Sequence, residues 1–74
     1  MIIMKNNKIQ IYINGKKQIV NNNYSLLEIL KVFSIKNKLV AVEINKEIVP
    51  KSKYKTIKIK NKDKIEILEM IGGG

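Results

Sequence analysis

The stretch KIQIYINGKKQIV, residues 8–20, limits the possible folds more than any other part of the chain. Apolar residues alternate with polar ones through Ile9, Ile11 and Ile13, the period of a strand with one buried face. The alternation then meets Asn14-Gly15, a dipeptide that accepts positive φ at both positions, as a two-residue type I′ hairpin turn requires. Pairing Ile13 with Lys16 puts Ile9 opposite Val20 on the buried face. Gln18 falls on that face too, which predicts either a bulge or an edge position for the second strand.

After the hairpin, NYSLLEILKVF reads as a helix with an explicit start. Ser25 and Glu28 have the spacing of a capping box, and Tyr24 and Ile29 that of a hydrophobic staple. Leu26, Ile29, Leu30 and Phe33 form one apolar stripe, and the helix is predicted to fade near Ser34. LVAVEIN is a third strand, with Val40, Val42 and Ile44 on one face and Ala41 and Glu43 on the other. KEIVP gives a short strand ended by Pro50, which cannot donate to a ladder. KSKYKT reads as a turn or one helical turn, and Asn61 to Asp63 as a turn. Tyr54 reads as a core plug under that loop. KIEILEMI is the last strand, with Ile65 and Ile67 inward and Leu68 and Met70 outward.

A hairpin, a helix and later strands make an α+β sheet with one covered face. The compact solution puts the last strand mid-sheet, between the first and the third. That is the β-grasp, or ubiquitin-like, fold: a mixed sheet with one main helix on one face. The 74 residues allow one small domain, assigned here to 1–71, followed by a Gly-Gly-Gly tail at 72–74. The helix should cover Ile9, Ile11, Val40, Val42, Ile44, Ile65 and Ile67.

The chain has no cysteine and no histidine, so disulfides, thiol nucleophiles, imidazole catalysis and zinc sites of the usual ligands are excluded. Carboxylates are few and separated, and no metal site or acid–base pair is predicted. The terminal glycines precede no helix, so they are no phosphate loop. No apolar run approaches a membrane span, and MIIMKNNK returns to charge too early for a secretory signal. The expectation is a non-enzymatic, soluble protein of a reducing compartment, bacterial cytosol or plastid stroma. A net charge of +9 invites a nucleic-acid reading, but every basic residue is Lys. Arg is the residue suited to bidentate phosphate and guanine contacts. The joint excess of Lys, Asn and Ile reads as codon bias on a solvated surface, with steering toward an acidic partner as the functional alternative.

The ending EMIGGG carries the chemistry. Three glycines bury nothing and have the largest backbone freedom, so a tail reaching about 10 Å beyond the last strand is predicted. Its carboxylate is ionised at neutral pH. It becomes reactive once a partner adenylates it, and a tail without Cβ atoms fits a narrow channel.

Together, INGK, SLLEIL, VAVEINKEIVPKSKY and DKIEILEMIGGG resemble, in the same order, the patterns of the ThiS family of thiamine-biosynthesis sulfur carriers. The likeness runs from about Ile9 to Gly74; MIIMKNN lies outside it, and Met4 is an alternative start. The resemblance implies that Gly74 bears the sulfur as a thiocarboxylate. Gly73 matches the penultimate glycine, and Gly72 an extra one found in some members. It implies no bound cofactor, with ATP used by a ThiF-type adenylyltransferase. The implied partners are that enzyme, a cysteine desulfurase or sulfurtransferase system, and a ThiG-type thiazole synthase, with neither nucleic acid nor membrane. The open sheet face, bearing Tyr12, Ala41, Leu68 and Met70, is the predicted docking surface; Met suits a surface that meets more than one partner. Competing readings are a molybdopterin-type carrier, which usually has prolines before its glycines, a ubiquitin-like modifier, and a small basic RNA-binding module. The last needs aromatic platforms, and this chain has only Phe33 and three tyrosines.

Overall fold

The computed structural model describes residues 7–36 and 40–69. Its elements are β1 (Lys8–Ile13), β2 (Lys16–Asn21), α1 (Leu26–Val32), β3 (Val40–Ile44), β4 (Glu47–Val49), a 3-10 turn at Lys51–Lys53, and β5 (Lys64–Glu69). The five strands form one sheet in the order β2-β1-β5-β3-β4. The last strand therefore lies at the centre, parallel to β1 and antiparallel to β3.

The hairpin forms in the expected register, with Ile13 opposite Lys16 and Ile9 opposite Val20. Asn14 and Gly15 both have positive φ, 50° and 84°. Ile11 pairs directly with Gln18 in an unbroken ladder. The edge position of β2 thus accounts for Gln18, since its amide, half-buried, stays within reach of water.

Helix α1 starts at the capping box. The Ser25 hydroxyl accepts from the Glu28 N–H at 3.2 Å, and the Glu28 carboxylate accepts from the Ser25 N–H at 2.8 Å. Two further N–H groups of the first turn are satisfied by the loop before β5. Leu26 donates to the Ile57 carbonyl and Leu27 to the Tyr54 carbonyl, each at 2.9 Å. The helix ends in a Schellman motif: Ile35 N–H donates to the Leu30 carbonyl, Ser34 N–H to that of Lys31, and Ser34 has φ 58°.

Leu26, Ile29 and Leu30 of the helix meet Ile11, Val20, Val40, Val42 and Ile65 of the sheet in one buried cluster. Of the sheet residues predicted beneath the helix, Ile9, Ile44 and Ile67 are only half-buried, because one seven-residue helix cannot span a five-stranded sheet. The loop closes part of the gap with Tyr54, Ile59 and the neighbouring Val49, all buried. Tyr54 is the core plug the sequence suggested, and burial pushes its phenol pKa up. Among the described residues no helix is long and apolar enough to cross a membrane.

Candidate functional site

Everything specific about the candidate site follows from where β5 ends. Its last described residues are Leu68 and Glu69, at the centre of the sheet. Met70, Gly72, Gly73 and Gly74, all predicted to act, lie outside the described residues. What the structure defines is the platform from which they continue.

That platform is fastened from both sides by asparagines of hairpin turns. On the β1 side, β5 pairs with only Tyr12 and Ile13, through Lys64 and Ile65. Past Ile13 the neighbouring chain turns away. The Asn14 main chain donates to the Ile65 carbonyl at 2.9 Å. Its side chain then takes the next place in the ladder: Oδ1 accepts from the Ile67 N–H at 2.7 Å, and Nδ2 donates to the Ile67 carbonyl at 3.4 Å. At the other end of β5, Asn45 acts likewise from the β3 side. Its Oδ1 accepts from the Lys64 N–H at 3.0 Å, its N–H donates to the Lys64 carbonyl at 2.8 Å, and its Nδ2 donates to Asp63 at 3.0 Å. Asn45 and Lys46 have φ 52° and 72°, the same turn conformation as Asn14-Gly15. Asn14 read from sequence as a turn former only, and Asn45 carried no assignment. The single usable signal was an Asn in each short turn beside the predicted central strand.

Asp63 and Asn61 are turn residues, as predicted. Asp63 accepts from the Lys60 N–H at 2.8 Å, and the Asn61 side chain accepts from the Gln10 N–H at 2.9 Å.

Of the residues proposed for docking, Ala41 and Leu68 stand directly opposite each other, with Leu68 exposed by 52%. Tyr12 is not beside them. It aligns with Lys64, four residues back along β5, about 13 Å away at strand rise. Its hydroxyl accepts from Gln10 Nε2 at 2.9 Å. The reason is the parallel β1–β5 register, which no local pattern reveals. Between the two lies Glu66, opposite Glu43. Beyond them on the same face, Ile48 pairs with Glu43 and is exposed by 72%. Beside the end of β5, a groove of about 630 Å³ runs between Asn14, Ile35, Lys36, Ile67 and Glu69. Among the described residues no group of three or more potential metal ligands stands together.

Arranged this way, the two asparagines hold the described β5 at both ends, and an apolar pair, Ala41 and Leu68, stands near the end of its ladder. Ser34, Lys36 and Glu69 are the hydroxyl, amine and carboxylate that line the groove beside it.

The ThiS family model matches residues 4–74, which takes in the whole described structure and the terminal glycines. A sulfur carrier protein ThiS of Bacillus subtilis (strain 168) is 38% identical over 50 residues, 68% of this chain and 76% of that protein. A thiazole synthase of Paramagnetospirillum magneticum is 37% identical over 65 residues, 88% of this chain but only 20% of that protein's length. Among solved structures, a thiamine biosynthesis protein (ThiS) from Geobacter metallireducens superposes with a TM-score of 0.80 at 26% identity, over 89% of this chain and all of that one.

Proposed function

The chain belongs to the ThiS family, and from that premise we propose that this sulfur carrier of thiamine biosynthesis holds its sulfur on the carboxyl carbon of Gly74. A Gly74 carboxylate oxygen attacks the α-phosphorus of ATP in a ThiF-type activating enzyme, and pyrophosphate leaves. A sulfur nucleophile, supplied from cysteine by a desulfurase system, then attacks the acyl carbon and AMP leaves. With a persulfide as the nucleophile the product is an acyl disulfide. A thiol then attacks its outer sulfur, a new disulfide forms, and the thiocarboxylate released is the sulfur donor for a thiazole synthase.

The observation that carries this reading is the family match running through Gly74. Chemistry supports it independently. With no cysteine in the chain, no side-chain thiol can carry the sulfur. Gly72 and Gly73 have no Cβ, so a narrow channel admits them. Support for thiazole synthase as the receiving partner comes from the relative of that name, one fifth of which resembles 88% of this chain. In this reading Leu68 and Ala41, with Met70 two residues on from Leu68, form the docking surface, and Tyr12 marks its far edge.

The test is a reconstitution. The protein is incubated with ATP, a ThiF-type enzyme, a persulfide source and a thiol reductant, and the intact chain is weighed. The mass gain of sulfur replacing one oxygen is expected, and a chain lacking Gly74 shows none. An unchanged mass in the full chain, or a gain that survives loss of Gly74, overturns the proposal.

A further inference from the structure

We propose that Asn14 is a site of spontaneous deamidation, and that its grip on Ile67 is what restrains the reaction. Of the nine asparagines in the chain, Asn14 alone precedes a glycine. Ring closure needs the main-chain nitrogen of the following residue to reach the asparagine carbonyl carbon, and glycine offers the least obstruction. The structure leaves that nitrogen accessible. Asn14 is exposed, and the Gly15 N–H has no hydrogen-bond partner among the described residues. A Cβ at Gly15 would meet nothing within 4 Å, so the space around it is open. Lys16 and Lys17 follow, both exposed, and their positive field favours the amide anion that attacks.

In the reaction a bond forms between Gly15 N and Asn14 Cγ. The Cγ–Nδ2 bond breaks, and ammonia leaves with the Gly15 amide proton. Water then opens the cyclic imide at either carbonyl, giving aspartate or isoaspartate. No oxidant, reductant or enzyme is needed. The restraint is geometric. Ring closure turns the side chain back onto its own main chain, which breaks both bonds to Ile67.

The product matters because of where it forms. Aspartate at position 14 still accepts from the Ile67 N–H, but its second oxygen faces the Ile67 carbonyl, acceptor against acceptor. Isoaspartate adds a main-chain carbon to a turn that sets the hairpin register. Either change loosens β5 immediately before Leu68, independently of the function proposed above.

The full chain is incubated at mildly alkaline pH, with and without urea, and followed by intact mass and peptide mapping. Conversion at Asn14 ahead of every other asparagine is expected, slower in the folded protein by about ten-fold or more, since two ordinary hydrogen bonds must open first. Equal rates in the two conditions, or another asparagine reacting first, overturn the proposal. Amide exchange of Asn14→Asp gives a second reading: Ile67 should exchange faster by about ten-fold while Leu30 in the helix is unchanged. Unaltered exchange at Ile67 would show that the grip is immaterial.

Discussion

Asn14 and Ile67 stand 53 residues apart in the chain, yet one side-chain amide joins them through two hydrogen bonds. The amide substitutes for the strand residue that β1 lacks at that level. The hairpin of β1 and β2 thereby holds the final strand two residues beyond its last β1 pairing, at Ile65.

Two replacements at that position separate bond from backbone. Asn14→Gly keeps the positive φ and loses both bonds, and should lower stability by about 1 kcal/mol. Asn14→Ala loses the bonds and also strains a left-handed residue, for about 2 kcal/mol in all. Urea unfolding should rank wild type above Gly above Ala. Equal midpoints for wild type and Gly would mean that the bonds contribute nothing.

Capping gives a pH signature. The Ser25 N–H, donating to Glu28, outweighs desolvation and holds the Glu28 carboxyl below its ordinary value near 4.5. A carboxyl lowered in the folded state contributes stability above its unfolded pKa and loses it as pH falls through the folded one. Stability should therefore drop as pH falls below about 4.5, and Glu28→Gln should flatten that part of the profile. Identical acid limbs for the two proteins would remove Glu28 from the explanation. Ser25→Ala should cost about 1 kcal/mol at neutral pH.

Core and rim residues of similar chemistry should differ sharply. Ile65 is 1% exposed at the centre of the sheet, whereas Ile48 is 72% exposed at its edge. Ile65→Ala should cost about 2–5 kcal/mol and leave so small a domain largely unfolded. Ile48→Ala should stay within about 0.5 kcal/mol. Thermal melts of the two variants check this.

Glu43 and Glu66 face each other across β3 and β5, like charges in direct register. Glu43→Lys should stabilise the fold by about 0.2–1 kcal/mol, through relief of repulsion and a new opposite-charge pair. Added salt should narrow the gap between variant and wild type. A difference independent of salt would point to a cause other than charge.

Leu68→Glu tests the docking surface. With the side chain half in water, the fold should tolerate the change, and the melting temperature should barely move. Affinity for a ThiF-type enzyme, read by titration calorimetry, should fall by about ten-fold or more, the cost of placing a charge in an apolar contact. Unchanged affinity would remove Leu68 and its partner Ala41 from the interface.

The local features were legible because neighbours in sequence create them. The hairpin register follows from the Asn14-Gly15 turn, the helix start from Ser25 and Glu28, and the helix end from the fading apolar stripe at Ser34. Central placement of β5 was legible too, since a hairpin, a helix and three later strands leave few ways to bury one apolar face. Less visible was the work of the loop before β5. Ile59 sits between lysines in a charged run, yet it is 2% exposed, because its N–H donates to the Tyr24 carbonyl and draws it under the helix start.

Read alone, the chain of residues determined its repertoire: no thiol, no imidazole, and an apolar strand pattern leading to three glycines. Tertiary structure decided which residues share a location. It set Ala41 against Leu68, moved Tyr12 to the far end of the strand, and made fasteners of β5 out of Asn14, a turn former by sequence, and Asn45, which had no role there. The physical reason is range. Turn and cap preferences act over a few residues, whereas the alignment of parallel β1 and β5 arises only when the whole apolar face is buried at once.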